Sequence, residues 1–294
     1  MTRTIDHGPE RGTDTFAWDA PCTVDASPTD GHPMRHPADG RCHFSELKQH
    51  ARSPAHVRLA CTEARDLTDA MVVGGVADCI VFGQRGYAVY GGKARVGKEW
   101  ELHQKAHPGQ YHPTVSLAQR AEGAALAVLA DPVARDLLDG AEYQRIVQWD
   151  AHGLPCASGI AGERGGIDCY HATHKTRRPY TADLKITSDV EPRALQRQAW
   201  RMHWIAQGAW LLGACEALRM PAEDHYLIAA EASPPHCVTV MRLSAESLGV
   251  GRRQVAGWCE RHRQCEAAGV WPGYTQSAVD LEPEVWMVGE EEAE

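Results

Sequence analysis

No uninterrupted apolar run in this sequence approaches the roughly 18 residues that a membrane-spanning helix needs, so a transmembrane helix is excluded. The opening MTRTIDHGPERGTD has no apolar stretch ahead of a small-residue cleavage site, which argues against a secretory signal and for a cytoplasmic location. None of the ten cysteines, spread from Cys22 to Cys265, forms a CxxC pair. The closest pairs, Cys259 with Cys265 and Cys156 with Cys169, miss zinc-knuckle spacing, so reduced thiols are expected rather than a disulfide scaffold or a zinc ribbon. Basic residues are outnumbered, 30 Lys and Arg against 39 Asp and Glu, for a net charge of −9. The deficit sits at the ends: residues 1–40 carry a net −4 and residues 275–294 a net −7, which leaves 41–274 at +2. An acidic total therefore does not exclude a nucleic-acid partner, because recognition depends on a local basic groove.

With 294 residues the chain can bury a sizeable core without staples. Residues 1–40, rich in Pro, Gly, Asp and Thr without periodicity, are expected to be disordered, and 276–294 form an acidic tail ending in GEEEAE. Between them a single domain, 41–275, is expected. HFSELKQHA (43–51) and SPAHVRLAC (53–61) read as two short helices, and a longer one follows at 66–82. Residues 116–139 have alanine-rich helical periodicity, broken by Pro132 and closed by Gly140. The period then changes. YQRIVQW, GLPCASGIAG, GGIDCYHA and YTADLKIT read as an antiparallel meander. One long amphipathic helix is predicted over 191–219, then a strand pair at YLIAAEA and CVTVMRLS, then a last helix over 244–268. That order describes an α/β or α+β fold with a central mixed sheet flanked by helices, behind a helical N-terminal part.

The chemistry concentrates in GGIDCYHATHKTRRPYTADLKIT, residues 165–187. Asp168 falls near the end of one strand. Asp183 and Lys185 lie two apart on the next, so both side chains leave one face while Ala182, Leu184 and Ile186 make the other apolar. Antiparallel pairing through the turn at Lys175–Arg178 would bring the two carboxylates and the lysine together. Carboxylates are hard oxygen ligands that hold Mg²⁺ or Mn²⁺ with open water positions. Such a cation stabilises charge on a phosphoryl oxygen and lowers the pKa of a bound water. The same D-x-K spacing also occurs as plain solvated charge on an exposed strand edge.

Asp168, then D-L-K-I-T at 183–187, then Gln207 in HWIAQGAWL resemble the motifs of the PD-(D/E)xK nuclease superfamily, in its RecB-like and exonuclease VIII-like branch. HFSELKQHARSPAHVR (43–58), DAMVVGGVADCIVFG (69–83), ARVGKEWE (94–101), LLDGAEYQRIVQW (137–149), ASPPHCVTVMRL (232–243) and WPGY (271–274) are similar in order and approximate spacing to the same phage-type nuclease domain. The resemblance covers about 42–275. It implies a restriction-endonuclease-like core, with Asp168, Asp183 and the Leu184 carbonyl as ligands of Mg²⁺ or Mn²⁺, Lys185 as the catalytic lysine and Gln207 as the helix glutamine. It also implies exonucleolytic hydrolysis of linear duplex DNA ends in phage-type recombination or repair. Related enzymes form closed rings, so a homo-oligomeric ring and a single-strand annealing partner enter as expectations. Two departures stand out. Where the family has the histidine of G-T-x-x-H, this chain has Gly75, Val76, Ala77 and Asp78, and Asp78 can ligate a cation but cannot donate the same proton. The family glutamate falls near Glu142 or Gln144, and the Q-x-x-x-Y helix motif ends in Leu211. The alternative is therefore a catalytically inactive DNA-binding or recombination-accessory protein on the same fold.

GKARVGKE (92–99) satisfies G-x-x-x-x-G-K but has Glu99 where a P-loop needs Ser or Thr, so it reads as a basic loop, either solvated or, as the family resemblance implies, touching DNA phosphate through Arg95 and Lys98. Lys175, Arg177 and Arg178 form the densest basic cluster, either a solvated hairpin tip or, in a nuclease, the rim of the site, where they would hold DNA phosphates. Arg252, Arg253, Arg261 and Arg263 would extend that track. His103, His107 and His112, and the pair His171 and His174, would make a zinc hydrolase only if three ligands met at one position. Trp100, Trp149, Trp200, Trp204 and Trp210 are read as core.

Overall fold

The computed structural model describes residues 40–63, 66–83, 86–159, 166–275 and 277–282. The N-terminal segment 1–39 and the closing GEEEAE run, both given expectations above, lie outside the described residues. The helices begin and end where local chemistry dictates. α1 (Phe44–Leu47) and α2 (Pro54–Thr62) flank a 3₁₀ turn at Lys48–Ala51. α3 (Asp69–Phe82) opens on Thr68, whose hydroxyl accepts from the Met71 amide, and stops at left-handed Gly83. α5 (Val115–Ala130) and α6 (Pro132–Leu138) separate at Asp131, which caps the Val133 and Ala134 amides ahead of Pro132. The stretch read as a basic loop runs into a helix instead. α4 (Lys98–Ala106) starts after Gly97 at φ 85° and has Glu99 and Glu101 in its first turn and His103 and Lys105 in its last, matching the helix dipole.

The expected meander is rearranged. β2 (Val147–Ala151) and β3 (Leu154–Ser158) form a hairpin of their own, so β1 (Glu142–Arg145) pairs with β4 (Ile167–His171). β4 pairs antiparallel with β5 (Tyr180–Thr187), which runs parallel to β6 (Asp224–Glu231), and β7 (Val238–Arg242) closes the mixed sheet in the order β1-β4-β5-β6-β7. Parallel neighbours need a crossover, and the helical stretch 191–219 supplies it. It is two helices rather than one. α7 (Pro192–Arg201) and α8 (Trp204–Ala217) meet at His203, whose φ of 60° interrupts the hydrogen-bond ladder. α9 (Ala245–Ala268) follows as predicted, capped by Ser244.

Even-numbered residues of β5 and β6, Tyr180, Ala182, Leu184, Tyr226 and Ile228, join α3, α5 and α6 in one core. On the other face Leu227 and Ala229 pack with Leu195 of α7 and Ile205 and Leu212 of α8. Each fully buried aliphatic side chain there contributes roughly 1.5–3 kcal/mol. α8 comes close to the sheet only because residue 208 is glycine: a Cβ on it would stand 2.5 Å from Cδ2 of His225. Gly208→Ala is expected to cost about 1–3 kcal/mol through overpacking, lowering the melting temperature by roughly 2–10 °C. A melt indistinguishable from the parent would show that α8 and β6 are less tightly apposed. The nine described cysteines are free thiols, and among the described residues no helix is long and apolar enough to cross a membrane.

Candidate active site

The ladder between β4 and β5 pairs Cys169 with Ala182 and goes no further toward Ile167, so the chains separate where Asp168 and Asp183 stand opposite one another. The Leu184 amide, released from that ladder, donates to Oδ2 of Asp168 at 3.1 Å. Asp183 is only 3% exposed, and its Oδ2 carries no hydrogen bond beyond its ion pair with Nζ of Lys185. Nζ of Lys185 also donates to Oε1 of Gln207 at 3.2 Å and lies 5.6 Å from the ring centroid of Trp204, both on α8. Asp168, Asp183, Lys185 and Gln207 thus form one connected cluster, as the sequence motif requires. Asp78, on α3, is close enough to act electrostatically on Asp183 and Lys185.

The charges explain one another. Burial pushes the Asp168 carboxyl well above the usual carboxylate range, and the neighbouring Asp183 and Asp78 push it further. Asp78 rises to about 7, mainly by burial, with Asp183 adding and Lys185 opposing. For Asp183 burial acts upward too, but Lys185, His225 and a hydrogen bond with Asp168 outweigh it and hold the group ionised. Burial alone would lower Lys185, yet Asp183 and Asp168 keep its ammonium charged. Three carboxyls therefore face one cation, and the excess is met by protons held on Asp168 and Asp78. A divalent ion does the same work better than protons. The oxygen-only donors, with Oδ2 of Asp183 buried and met only by the Lys185 ammonium, suit Mg²⁺ or Mn²⁺. Among the described residues no three His, Cys, Asp or Glu side chains stand as a finished cage. Backbone carbonyl and water would complete the shell, as Mg²⁺ generally requires.

The ambiguity between Glu142 and Gln144 resolves. Glu142 is exposed and paired with Nη1 of Arg145 at 2.6 Å. Gln144 stands opposite Asp168 in the β1–β4 register, and its Nε2 donates to Oδ1 of Asp168 at 3.1 Å. Its φ of 52° is unusual for a residue with a side chain and persists because the sheet and this bond fix it. An amide there takes one lone pair of Asp168 and adds no charge. Gln144→Glu is expected to tighten Mn²⁺ binding about tenfold at pH 8, since one more charge at about 4 Å is worth roughly 1–4 kcal/mol. Unchanged or weaker Mn²⁺ affinity by calorimetry would remove Gln144 from the site.

Other expected residues lie elsewhere. Arg177 is clamped to Asp136 of α6 at 2.7 and 3.0 Å, and Arg178 to Glu223 and Asp224 at 3.0 and 2.7 Å. They tie the far end of β5 to its surroundings, about 10–17 Å along the strand from Asp183 and Lys185, instead of forming a rim over the carboxylates. Lys175 is exposed on the same turn. Arg95 is held by the Leu67 carbonyl and Asp69, at 2.9 and 2.7 Å, and Lys98 is exposed at the start of α4. Arg261 and Arg263 donate to the backbone carbonyls of His50 and His152. The rings of His103, His107 and His112 pack at 4.9 and 5.2 Å without forming a cation site. Trp200, expected in the core, is 38% exposed because it falls on the outer face of α7. Sequence reasoning also missed His225, fully buried, hydrogen-bonded through Nδ1 to Thr181 at 2.8 Å and lowered to about 4 mainly by burial.

Two acids from diverging strands, a lysine two residues after the second and a glutamine from the crossover helix have the residue types and order of the PD-(D/E)xK motif. Residues 43–280 match the model of a family described as a PDDEXK-like domain of unknown function, and the chain belongs to that family. A crystal structure from Eubacterium rectale, described as a "Putative exonuclease", aligns with a TM-score of 0.58 at 12% identity, covering 86% of this chain and 94% of that one. At that identity the likeness is one of fold. No curated protein matches the chain.

Proposed function

We propose that this protein is a divalent-metal-dependent nuclease that hydrolyses DNA phosphodiester bonds, working as an exonuclease on linear duplex ends. The observation that carries the reading is the convergence of Asp168, Asp183 and Lys185 where β4 and β5 part, with Asp78 nearby. Asp168, Asp183, the Leu184 carbonyl and Asp78 would hold the cation. When bound, it supplies charge for the phosphoryl oxygens and acidifies a water. The protein's own part is positional. Asp183 and Gln207 fix the Lys185 ammonium from two sides, so it points where negative charge develops and can orient an attacking water. Trp204 beside Nζ keeps water from solvating the charge freely, which strengthens its field. Action on duplex ends, and a place in phage-type recombination or repair with a ring assembly and an annealing partner, rest on the sequence resemblance.

A second reading has one observation in its favour. Gln144 puts a neutral amide beside Asp168 where the family has an acid, as a DNA-binding relative without turnover would tolerate. Digestion of end-labelled linear duplex and of covalently closed circles, with Mg²⁺, Mn²⁺ or EDTA, separates the alternatives. Metal-dependent shortening of the linear form alone is the expected result. Binding without digestion under any cation would establish the accessory protein instead.

A further inference from the structure

α7 carries Arg193, Arg197 and Arg201 at i, i+4 and i+8, all exposed, and among the described residues none of the three is in an ion pair. The nearby acids are engaged elsewhere. Asp189 accepts from the Glu191 amide and Glu191 caps the Ala194 amide, each at 2.8 Å. At about 100° per residue the three guanidinium groups share an arc of roughly 80°. Like charges four apart on a helix destabilise it by roughly 0.2–0.5 kcal/mol per pair. A bound polyanion would turn that repulsion into attraction.

The helix that carries the stripe is also tied to the strand that bears the site. Leu195 and Ala199 bury the inner face of α7, and Gln198 sits on one flank, accepting from Oγ1 of Thr187 at 2.7 Å. Thr187 shares its face of β5 with Asp183 and Lys185 and lies two residues, roughly 6.6 Å, beyond the lysine. Arg201 falls about 60° from Gln198 around the helix, while Arg197 lies opposite the face that Leu195 and Ala199 bury, so the arc starts at the Gln198 flank and runs over the outer surface. Trp200, 38% exposed beside them, offers an aromatic face for an unstacked base. Successive arginines rise about 6 Å along the axis, a spacing that lets each reach a different phosphate.

Resting on the nuclease reading, we infer that the outer face of α7, through Arg193, Arg197 and Arg201, is the track that holds the phosphate backbone of one DNA strand as it enters the Asp168–Asp183–Lys185 site. Contacts of this kind are sequence-independent and release counterions, so they appear in the salt dependence of binding. The test measures affinity for a linear duplex across salt concentrations in EDTA, for the parent, the triple Arg→Ala variant, the triple Arg→Lys variant and Arg58→Ala on α2. Digestion with Mg²⁺ is followed in parallel.

The triple alanine variant is expected to flatten the slope of log K against log salt by about 2–3, at roughly 0.7–0.9 per lost contact. The lysine variant, which keeps the charges, and Arg58→Ala should retain the parental slope. A parental slope in a folded triple alanine variant, or an equal change in Arg58→Ala, overturns the track. If that happens while the parent still digests DNA, the nuclease reading stands alone. A parent that neither binds nor digests DNA removes both.

Discussion

Asp183→Asn is expected to abolish metal-dependent digestion of end-labelled duplex, and Lys185→Met to slow it by roughly 10²–10⁴-fold. Asparagine keeps the shape of the buried side chain but removes its charge, and with it an oxygen donor for the cation. Each single change also removes one side of a buried ion pair, which typically costs about 3–5 kcal/mol, less for Asp183→Asn, where Asp168 and Asp78 still face Lys185. Lost activity in either single variant could therefore be lost folding. The double variant separates the two effects. With both charges gone, Asp183→Asn/Lys185→Met should recover most of the melting temperature while remaining inactive, because the ion pair joins two groups that share a buried site. Recovery of stability without activity would assign the pair to chemistry. Digestion at more than about a tenth of the parental rate in the double variant would show that this cluster is not the catalytic one.

The site's core was legible in the sequence because it obeys short rules. Strand alternation puts Asp183 and Lys185 on one face, and β4–β5 pairing then brings in Asp168. Gln207 followed from resemblance, and its contact with Lys185 depends on Gly208 letting α8 approach β6. Periodicity could not show that β2 and β3 would leave the meander, since both segments alternate as sheet strands do, and their removal is what aligns Gln144 with Asp168. The basic residues misled for a different reason. Local density made Lys175, Arg177 and Arg178 prominent, whereas Asp136, Glu223 and Asp224, distant in sequence, neutralise the two arginines in the fold. Arg193, Arg197 and Arg201 are less dense along the chain but share a helix face. Their four-residue spacing was readable. The break at His203, which makes α7 a separate helix beside the site, was not.

Asp78→Asn should reveal the charge excess without any substrate. With EDTA near pH 4 the variant and the parent should melt nearly alike, because Asp78, raised to about 7, is protonated in the folded parent and still about half protonated in the unfolded chain. In the unfolded chain the same group ionises near 4, so between about pH 4 and pH 7 the native state binds the extra proton. Stability from this group is fully present below about pH 4 and is lost progressively as pH rises to about 7, above which no more is lost. At pH 8 the parent must bury an ionised third carboxylate, and the asparagine variant should melt higher by roughly 8–16 °C, corresponding to about 4 kcal/mol for a group moved from near 4 to about 7. The lowered His50, His112 and His225 act in the opposite direction between about pH 6.5 and pH 4, but they are common to both proteins and cancel in the difference. Adding Mg²⁺ or Mn²⁺ at pH 8 should reverse the order, since the cation needs the carboxylate that the metal-free protein does not. The same addition at pH 5 should do little, because there the ion competes with protons on Asp168 and Asp78. Equal stabilisation by metal at both pH values, or a pH-independent difference between the proteins, would place the cation away from these carboxylates and with it the proposed hydrolytic centre.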